Sequence, residues 1–544
     1  LIFAEIDWAA ACMGSCFLKS DLREVFCNEA PVSERDLVGE LREEIHQARA
    51  RVYQVGEATP LQSMVVDGIP NPVWVKREDL GPIKAYKWRG AYNAMACLSP
   101  AQLAGGVVVA SAGNHAQGIA LAARRLSAKA RIFMPKPTPQ VKRRAVLEHG
   151  GDHVSIELVG DSFAEAQEAA LEFAKESGAT FIPPYDSLKV MAGQGTLADE
   201  IFTSGEGPFD RVYVAIGGGG MASAVATLLK SSWPDVKVIG VEGVDQASMS
   251  AAFAANGPIA LDYVDLFCDG TAVTKVGELT YEICRSQLDG IITVTNQEVS
   301  AAIKAHWDGL RVIPEPSGAM SLAAYLKDFR AGKVGADEKV LTILCGANMD
   351  FAKLTDISRL AGINPRADRS WRFSIPEENG SLVKLLTDLP DGISITDLQY
   401  GRTLKDPQTP VLTLDVPEKE EAGFSEWLGQ RATAAIDVTG RPESSYRLIP
   451  FTPSLYQLPL FVEVEFPERA GALLGFMRAV SPFASLCYFN YTYSGERVGR
   501  ALLGLDFPDQ QTLEKNRPTI LDRAGKTVRA VREVLLDFDG SQRS

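Results

Sequence analysis

Short apolar runs alternate with longer amphipathic ones through most of this chain. Between about 34 and 51 the apolar positions recur at helical spacing, with Ser33 as candidate N-cap and Asp36 as the acid three residues on. Thr59-Pro60-Leu61 is followed by a short strand, Val73-Trp74-Val75-Lys76. GVVVA (106–110) leads into a helix over 115–127, RIFM (131–134) into one over 139–149, and HVSIEL into one over 162–177. RVYVAI leads into 221–231, and KVIGVE and TILC are the last strands. Strands of this kind between amphipathic helices predict an α/β fold with open, mostly parallel sheet and helices on both faces. Such sheets bind ligands at the carboxyl ends of their strands. Three candidate loops fall there: SAGN after 110, GGGG after 216 and Cys345-Gly346 after 344.

The pattern changes past about 365, where an internal repeat begins. Ile375-Pro376-Glu377 and Gly380-Ser381-Leu382 recur as Phe466-Pro467-Glu468 and Gly471-Ala472-Leu473. Leu414-Asp415-Val416-Pro417 recurs as Leu505-Asp506-Phe507-Pro508, and Tyr400 as Tyr491, every pair 91 positions apart. Each copy reads as βαββα, the pattern of a small antiparallel sheet with helices on one face.

The length, 544 residues, leaves room for several domains, and 46% hydrophobic with 23% charged residues is ordinary globular composition. A net charge of −14 argues against nucleic acid or an anionic membrane as partner. Eight cysteines, at 12, 16, 27, 97, 268, 284, 345 and 487, form no CxxC pair and suit a reduced interior. His149 and His153 are four apart, but Gly150-Gly151 breaks the helix face between them, so no metal site is expected. No apolar run reaches the roughly 18 residues a membrane helix needs. Glu5 and Asp7 interrupt the apolar N-terminus, unlike a signal or transit peptide, so residues 1–30 are expected to be a weakly ordered extension and the protein cytoplasmic.

Two features carry candidate chemistry. Lys87 lies in Ala85-Tyr86-Lys87-Trp88-Arg89-Gly90-Ala91, at the start of a helical run. A lysine amine can be deprotonated and hold an aldehyde covalently, and the helix dipole with Lys84 and Arg89 would lower its pKa. A snorkelling surface lysine is the plainer reading. Gly217, Gly218, Gly219 and Gly220 lie between a strand and a helix, so backbone N–H groups can converge on an anion such as a phosphate. Gly217, Gly219 and Ala222, with Glu242 ending the next strand, also fit the dinucleotide fingerprint, and a nicotinamide or flavin enzyme stays open at this point. Ser111-Ala112-Gly113-Asn114 at a helix start suits a carboxylate, or simply caps the helix. Cys345 puts a small neutral group at a strand end, which a buried structural thiol would also do.

Taken together, these segments resemble the threonine dehydratase (threonine ammonia-lyase) family of fold type II pyridoxal-phosphate enzymes. The resemblance is carried by Lys76-Arg77-Glu78-Asp79, Tyr86-Lys87-Trp88-Arg89-Gly90-Ala91 and Ser111-Ala112-Gly113-Asn114-His115-Ala116-Gln117-Gly118. Ile182-Pro183-Pro184-Tyr185, Gly193-Gln194-Gly195-Thr196, the glycine tetrad, Glu315 to Ala319 and Gly346-Ala347-Asn348 add to it. It implies a two-subdomain fold of open parallel sheets, like the tryptophan synthase β chain, over 46–365, after an extension over 1–45. The repeat resembles paired ACT-like regulatory domains, 366–455 and 456–544.

By this resemblance Lys87 holds pyridoxal 5'-phosphate covalently and acts as the catalytic base, and Asn114 contacts the ring oxygen. Gly217 to Gly220 hold the phosphate, Cys345 faces the ring nitrogen, and Ser111, Ala112, Gly113 and Asn114 receive the substrate carboxylate. The implied reaction is dehydration and deamination of L-threonine to 2-oxobutanoate. Isoleucine is implied as inhibitor, valine as a second effector, and a homo-oligomer, a tetramer, as the assembly. Ala85 replaces the family's usual Ser or Thr, Tyr86 its Phe, Met221 its Leu and Thr271 an apolar residue, which leaves serine and 3-hydroxyaspartate open as substrates. The related racemases place acids after the strand carrying Glu242, where this chain has Gln246 and Ser248. An amino-acid sensor with a degenerate enzyme core is a further reading, which the intact Lys87, Asn114 and glycine tetrad disfavour.

Overall fold

The computed structural model describes residues 35–362 without a break. Beyond them it describes 368–375, 381–390, 393–399, 410–416, 418–430, 435–439, 457–467, 476, 480, 483–492 and 498–534. The extension expected over 1–30, Ser33, Tyr400 and Gly471-Ala472-Leu473 lie outside the described residues.

Helix α1 (Leu37–Val52) starts three residues later than Ser33 would place it. Asp36 is its N-cap, accepting the Gly39 N–H at 3.0 Å. The expected boundary at 45 falls inside this helix, whose Leu41, Ile45, Ala48 and Val52 are fully buried. The chain then forms β1 (Leu61–Met64) and β2 (Val73–Arg77), and α2 (Trp88–Ala96) carries it to a second sheet. That sheet takes β3 (Val107–Ala110), α3 (Asn114–Arg125), β4 (Ala130–Met134), β5 (Val154–Leu158) and β6 (Thr180–Phe181). Helix α4 (Leu188–Thr203) returns to the first sheet, which continues through β7 (Arg211–Ala215), α5 (Gly220–Ser232), β8 (Lys237–Gly243), α6 (Glu278–Gln287) and β9 (Gly290–Val294). Two long helices, α7 (Asn296–Leu310) and α8 (Pro316–Arg330), precede β10 (Val340–Leu344) and α9 (Leu354–Gly362).

The parallel sheet is therefore two sheets. The larger has the order β1-β2-β10-β7-β8-β9, parallel except for β1, and the smaller β5-β4-β3-β6, parallel throughout. Every residue of β3, β7 and β10 is buried, because helices cover both faces. β9, which the sequence reading passed over, is partly exposed along most of its length and so lacks the all-apolar signature of its neighbours.

The repeat is visible in the backbone. The first copy holds β11 (Asp368–Phe373), α10 (Ser381–Thr387), β12 (Ser394–Gln399), β13 (Val411–Asp415), α11 (Glu421–Gly429) and β14 (Ala435–Asp437). The second holds β15 (Leu458–Pro467), β16 (Ser485–Thr492), β17 (Val498–Phe507), α12 (Gln510–Thr527) and β18 (Ala530–Glu533). The antiparallel sheets run β12-β13-β11-β14 and β16-β17-β15-β18, the same order, each with a short fourth strand beyond the expected βαββα. Even the irregularity repeats. Ser394 pairs Asp415 and Ser485 pairs Asp506, and the ladder slips between Ile395 and Asp397 and again between Leu486 and Tyr488. One apolar face of each sheet meets the helices, Phe373, Leu412 and Leu414 against Phe424 and Trp427, and Val462, Leu503 and Leu505 against Phe476 and Ile520.

Candidate active site

Three adjacent strands of the larger sheet, β2, β10 and β7, end on the same side because they are parallel. Each hands over to a segment named above. β2 runs on to Lys87, the N-cap of α2, β10 to Cys345, and β7 to Gly217–Gly220 at the start of α5. The fourth segment, Ser111–Asn114, leaves β3 of the smaller sheet and starts α3.

Backbone bonds tie these segments together. Tyr86 N–H donates to the Cys345 carbonyl at 3.1 Å and Ala347 N–H to the Lys84 carbonyl at 2.9 Å, flanking an Ala85–Gly346 bridge. Asn348 crosses between the subdomains, its Nδ2 donating to Ile83 O at 2.6 Å and to Asn114 Oδ1 at 2.9 Å. Helix α2 seats against α4 at Gly90, where a Cβ would stand 2.5 Å from the Val190 carbonyl oxygen.

Behind Lys87 lies a buried charge quartet. Arg89 Nε donates to Glu78 at 2.8 Å and Nη1 to Glu200 at 2.5 Å, while Lys76 Nζ reaches Glu200 at 2.5 Å. All four side chains are almost wholly buried, and two cations balance two carboxylates. The resembling segment Lys76–Asp79 thus joins β2, α2 and α4 directly behind the lysine.

Lys87 keeps partial exposure to the cleft, and its Nζ donates to the Pro184 carbonyl at 3.1 Å. Burial brings its pKa down to about 8, against smaller upward pulls from Cys345 and Glu315. The expected direction holds but the expected cause does not: Arg89 spends its charge on Glu78 and Glu200. An amine titrating near 8 is neutral in about a tenth of molecules at pH 7, some 300-fold more than an ordinary lysine.

The glycine tetrad is packed from behind. A Cβ on Gly218 would stand 2.2 Å from the Tyr185 ring, one on Gly219 (φ +94°) 2.8 Å from Met249 and Thr280, and one on Gly217 3.0 Å from Thr271 Cα. Among the described residues no acceptor takes the N–H of Gly217, Gly218 or Gly219, although Gly218 and Gly219 are buried. Unpartnered amides at a helix N-terminus fit the phosphate of pyridoxal phosphate.

Cys345 donates to the Ser317 carbonyl at 3.4 Å, and burial holds its thiol far above the ordinary range, so it is neutral. Asn114 Nδ2 donates to Glu315 Oε1 at 2.8 Å. Burial, then Asp269, raises Glu315 to about 8, so it too is largely neutral at pH 7. Ser111 Oγ accepts from Gly113 N–H at 3.2 Å and Ala116 N–H at 3.3 Å, closing the loop onto α3 as the capping alternative anticipated. Ala112 is buried beside it, and Gly113 is the N-cap. His115 is buried, its Nδ1 has no partner, and burial ahead of the Lys87 charge holds it near 3, hence neutral.

Sequence reasoning gave no role to Pro184, Tyr185, Glu315 or Asn348. All four lie in segments that carry the family resemblance, which was the available signal. Where a cation site would need acids, Gln246 donates to the Asp265 and Cys268 carbonyls at 2.5 and 3.2 Å. No cluster of three or more His, Cys, Asp or Glu suited to a metal occurs among the described residues.

Comparison with known proteins adds independent findings. Residues 52–346 match the model of the pyridoxal-phosphate dependent enzyme family, and 455–530 that of the C-terminal regulatory domain of threonine dehydratase. The chain is 36% identical to the L-threonine dehydratase biosynthetic IlvA of Burkholderia multivorans, over 86% of this chain and 93% of that one. The IlvA protein of Escherichia coli is also 36% identical (85% and 90% covered), and the chloroplastic biosynthetic threonine dehydratase of Arabidopsis thaliana 35% (87% and 80%). Among solved structures, the processed threonine deaminase isoform 2 of Solanum lycopersicum superposes with a TM-score of 0.56 at 41% identity, covering 60% of this chain and 94% of that one.

Proposed function

The chain belongs to the biosynthetic threonine dehydratase family of pyridoxal-phosphate dependent enzymes, and from that premise we propose that it converts L-threonine to 2-oxobutanoate and ammonia at the Lys87 cleft, the first step toward isoleucine. The carrying observation is the meeting of a lysine amine brought down to about 8 with unpartnered glycine amides at the ends of β2 and β7, two strands that flank β10 in one sheet. Lys87 is the covalent anchor, Gly217–Gly220 cradle the phosphate, Asn114 faces the ring oxygen and Cys345 the ring nitrogen. Once bound, the cofactor supplies an electron sink for the pair left when the substrate Cα–H bond breaks.

The protein's own groups do the rest. Ser111–Asn114 receive the substrate carboxylate at the start of α3. The Lys87 amine takes the Cα proton, which its lowered pKa allows near neutrality. Cys345 and Glu315, both neutral, put no carboxylate charge against the ring, which weakens the sink and favours prompt loss of the β-hydroxyl as water. The water lost is regained when the released enamine hydrolyses, so threonine yields one 2-oxobutanoate and one ammonia.

The regulatory C-terminus supports small-molecule control, with isoleucine as inhibitor, valine as a second effector, a homotetramer as the assembly and the cytoplasm as its place. No described helix is long and apolar enough to cross a membrane. The working division is a catalytic domain to 365, begun at Leu37 to include α1, then modules 366–455 and 456–544. Ala85 and Tyr86 beside the lysine favour a second substrate reading, serine or 3-hydroxyaspartate. Relative kcat/KM for the three amino acids, with and without isoleucine, tests both: threonine should lead and isoleucine should slow it. A preference for serine would replace the substrate, and an unresponsive rate would remove the feedback.

A further inference from the structure

The glycine tetrad is gripped from one side by α6. Thr280, fully buried in the first turn of that helix, donates from Oγ1 to the Gly218 carbonyl at 2.7 Å and accepts the Gly277 N–H at 3.1 Å. The start of α6 is itself fixed by a residue from a distant part of the chain. Gly277, its N-cap, has no side chain to offer, and the Asp186 carboxylate serves instead. Asp186 Oδ1 accepts from Leu279 N–H at 3.0 Å and Thr280 N–H at 3.2 Å, and Oδ2 from Glu278 N–H at 3.0 Å. A Cβ on Gly277 would stand 2.1 Å from Asp186 Cγ, so the glycine is what admits the carboxylate.

Asp186 comes with two neighbours that reach the same centre. The Pro184 carbonyl accepts from Lys87 Nζ at 3.1 Å. Tyr185 packs its ring behind Gly218, and its Oη donates to the Lys275 carbonyl at 3.0 Å. Three consecutive residues after β6 therefore meet the lysine, the tetrad and the helix that grips the tetrad.

Resting on the reading of Gly217–Gly220 as the phosphate cradle, we propose that Thr280 and Asp186 are positioning residues for the cofactor phosphate. Thr280 locks the plane of the Gly218–Gly219 peptide, and Asp186 holds Thr280 in place. In a trans peptide the carbonyl and the following N–H point in opposite directions. With the Gly218 carbonyl held toward α6, the Gly219 N–H is aimed away from it, and no described residue accepts that N–H. Gly219 has φ +94°, and a peptide between two glycines rotates easily unless something clamps it. The next peptide is fixed too, because the Gly219 carbonyl accepts Ser223 N–H of α5 at 2.9 Å. A cradle ordered in advance lowers the entropy cost of taking up the anion. Asp186 also gives the positive end of α6 a carboxylate of its own and leaves the start of α5 to the phosphate.

The test compares pyridoxal phosphate with pyridoxal, which has the same ring and aldehyde but no phosphate, as ligands of the full-length apoprotein, with both dissociation constants read from absorbance. Thr280→Val, which keeps the side chain's shape and removes its hydroxyl, should weaken pyridoxal phosphate about tenfold or more while pyridoxal changes by no more than about twofold. Asp186→Ala should act in the same selective way, by about threefold or more. Thr280→Ser, which keeps the hydroxyl, should restore the affinity of the unsubstituted chain. A loss shared equally by both ligands marks a merely structural role and would overturn the proposal, as would unchanged selectivity in Thr280→Val and Asp186→Ala. An unsubstituted chain that binds pyridoxal as tightly as pyridoxal phosphate would remove the cradle reading and this inference with it.

Discussion

In the catalytic body the central strands are parallel and buried on both faces, and charge is buried with them: Lys76, Glu78, Arg89 and Glu200 form a closed quartet behind Lys87. In the C-terminal repeats the strands are antiparallel, burial alternates along β15, and the charged pairs sit on the exposed side, Arg532 with Glu463 and Arg517 with Glu533. The difference follows from topology. Parallel strands bring their carboxyl ends to one edge, where loops from distant parts of the sequence meet and a reactive group can be surrounded. Antiparallel sheets leave one face free, which suits contact with another body and with a small ligand. Chemistry gathers at strand ends, while the regulatory region is built of sheets with a free face.

The largest effect that would break this comparison lies at the strand ends. Lys87→Ala should lower kcat for threonine by about 10⁴-fold or more, because it removes both anchor and base, while isoleucine binding to the full chain persists. Loss of both together would mean that the two regions are not separable.

The next effect is on stability. Arg89→Met leaves Glu78 and Glu200 buried with Lys76 as their one remaining partner cation in the quartet and should destabilise the catalytic body by about 3–5 kcal/mol. Phe476→Ala, against Phe466 in the second module, should cost a similar ~3–5 kcal/mol. Urea unfolding followed by cofactor absorbance and by isoleucine response should assign the first loss to the catalytic body and the second to the module. Arg532→Ala, which removes a largely exposed ion pair, should change stability by no more than about 1 kcal/mol. A cost as large as that of Arg89→Met would erase the distinction between the regions.

A smaller and slower signature is pH. Because burial lowers the Lys87 pKa, the neutral amine that attacks an aldehyde becomes abundant as pH climbs through about 8 rather than 10.5. The rate at which apoprotein takes up pyridoxal phosphate should therefore rise between pH 7 and 8 and level off above it. A rate still climbing steeply at pH 9.5 would mean an ordinary, solvated lysine.

How much of this was readable beforehand depended on range. Strand–helix alternation and the glycine tetrad are local patterns, and the repeat announced itself by a register so regular that even its bulges recur. The sequence read the downward direction of the Lys87 pKa but not its cause, since burial is a property of the finished fold. Asn114 with Glu315 and Arg500 with Asp265 are pairs more than 200 residues apart, with no periodicity to announce them. β9 and the short fourth strands, β14 and β18, are partly exposed and carry little apolar signal. Ser33 reads as the cap and Asp36 as the acid three residues on, whereas Asp36 itself caps α1 by accepting the Gly39 N–H.

One measurement bears on the centre of the account. Holoenzyme reduced with borohydride and digested should yield a single peptide carrying the cofactor, with the added mass on Lys87. The adduct on Lys84, Lys142 or any other lysine, or unmodified protein that still turns over threonine, would contradict it.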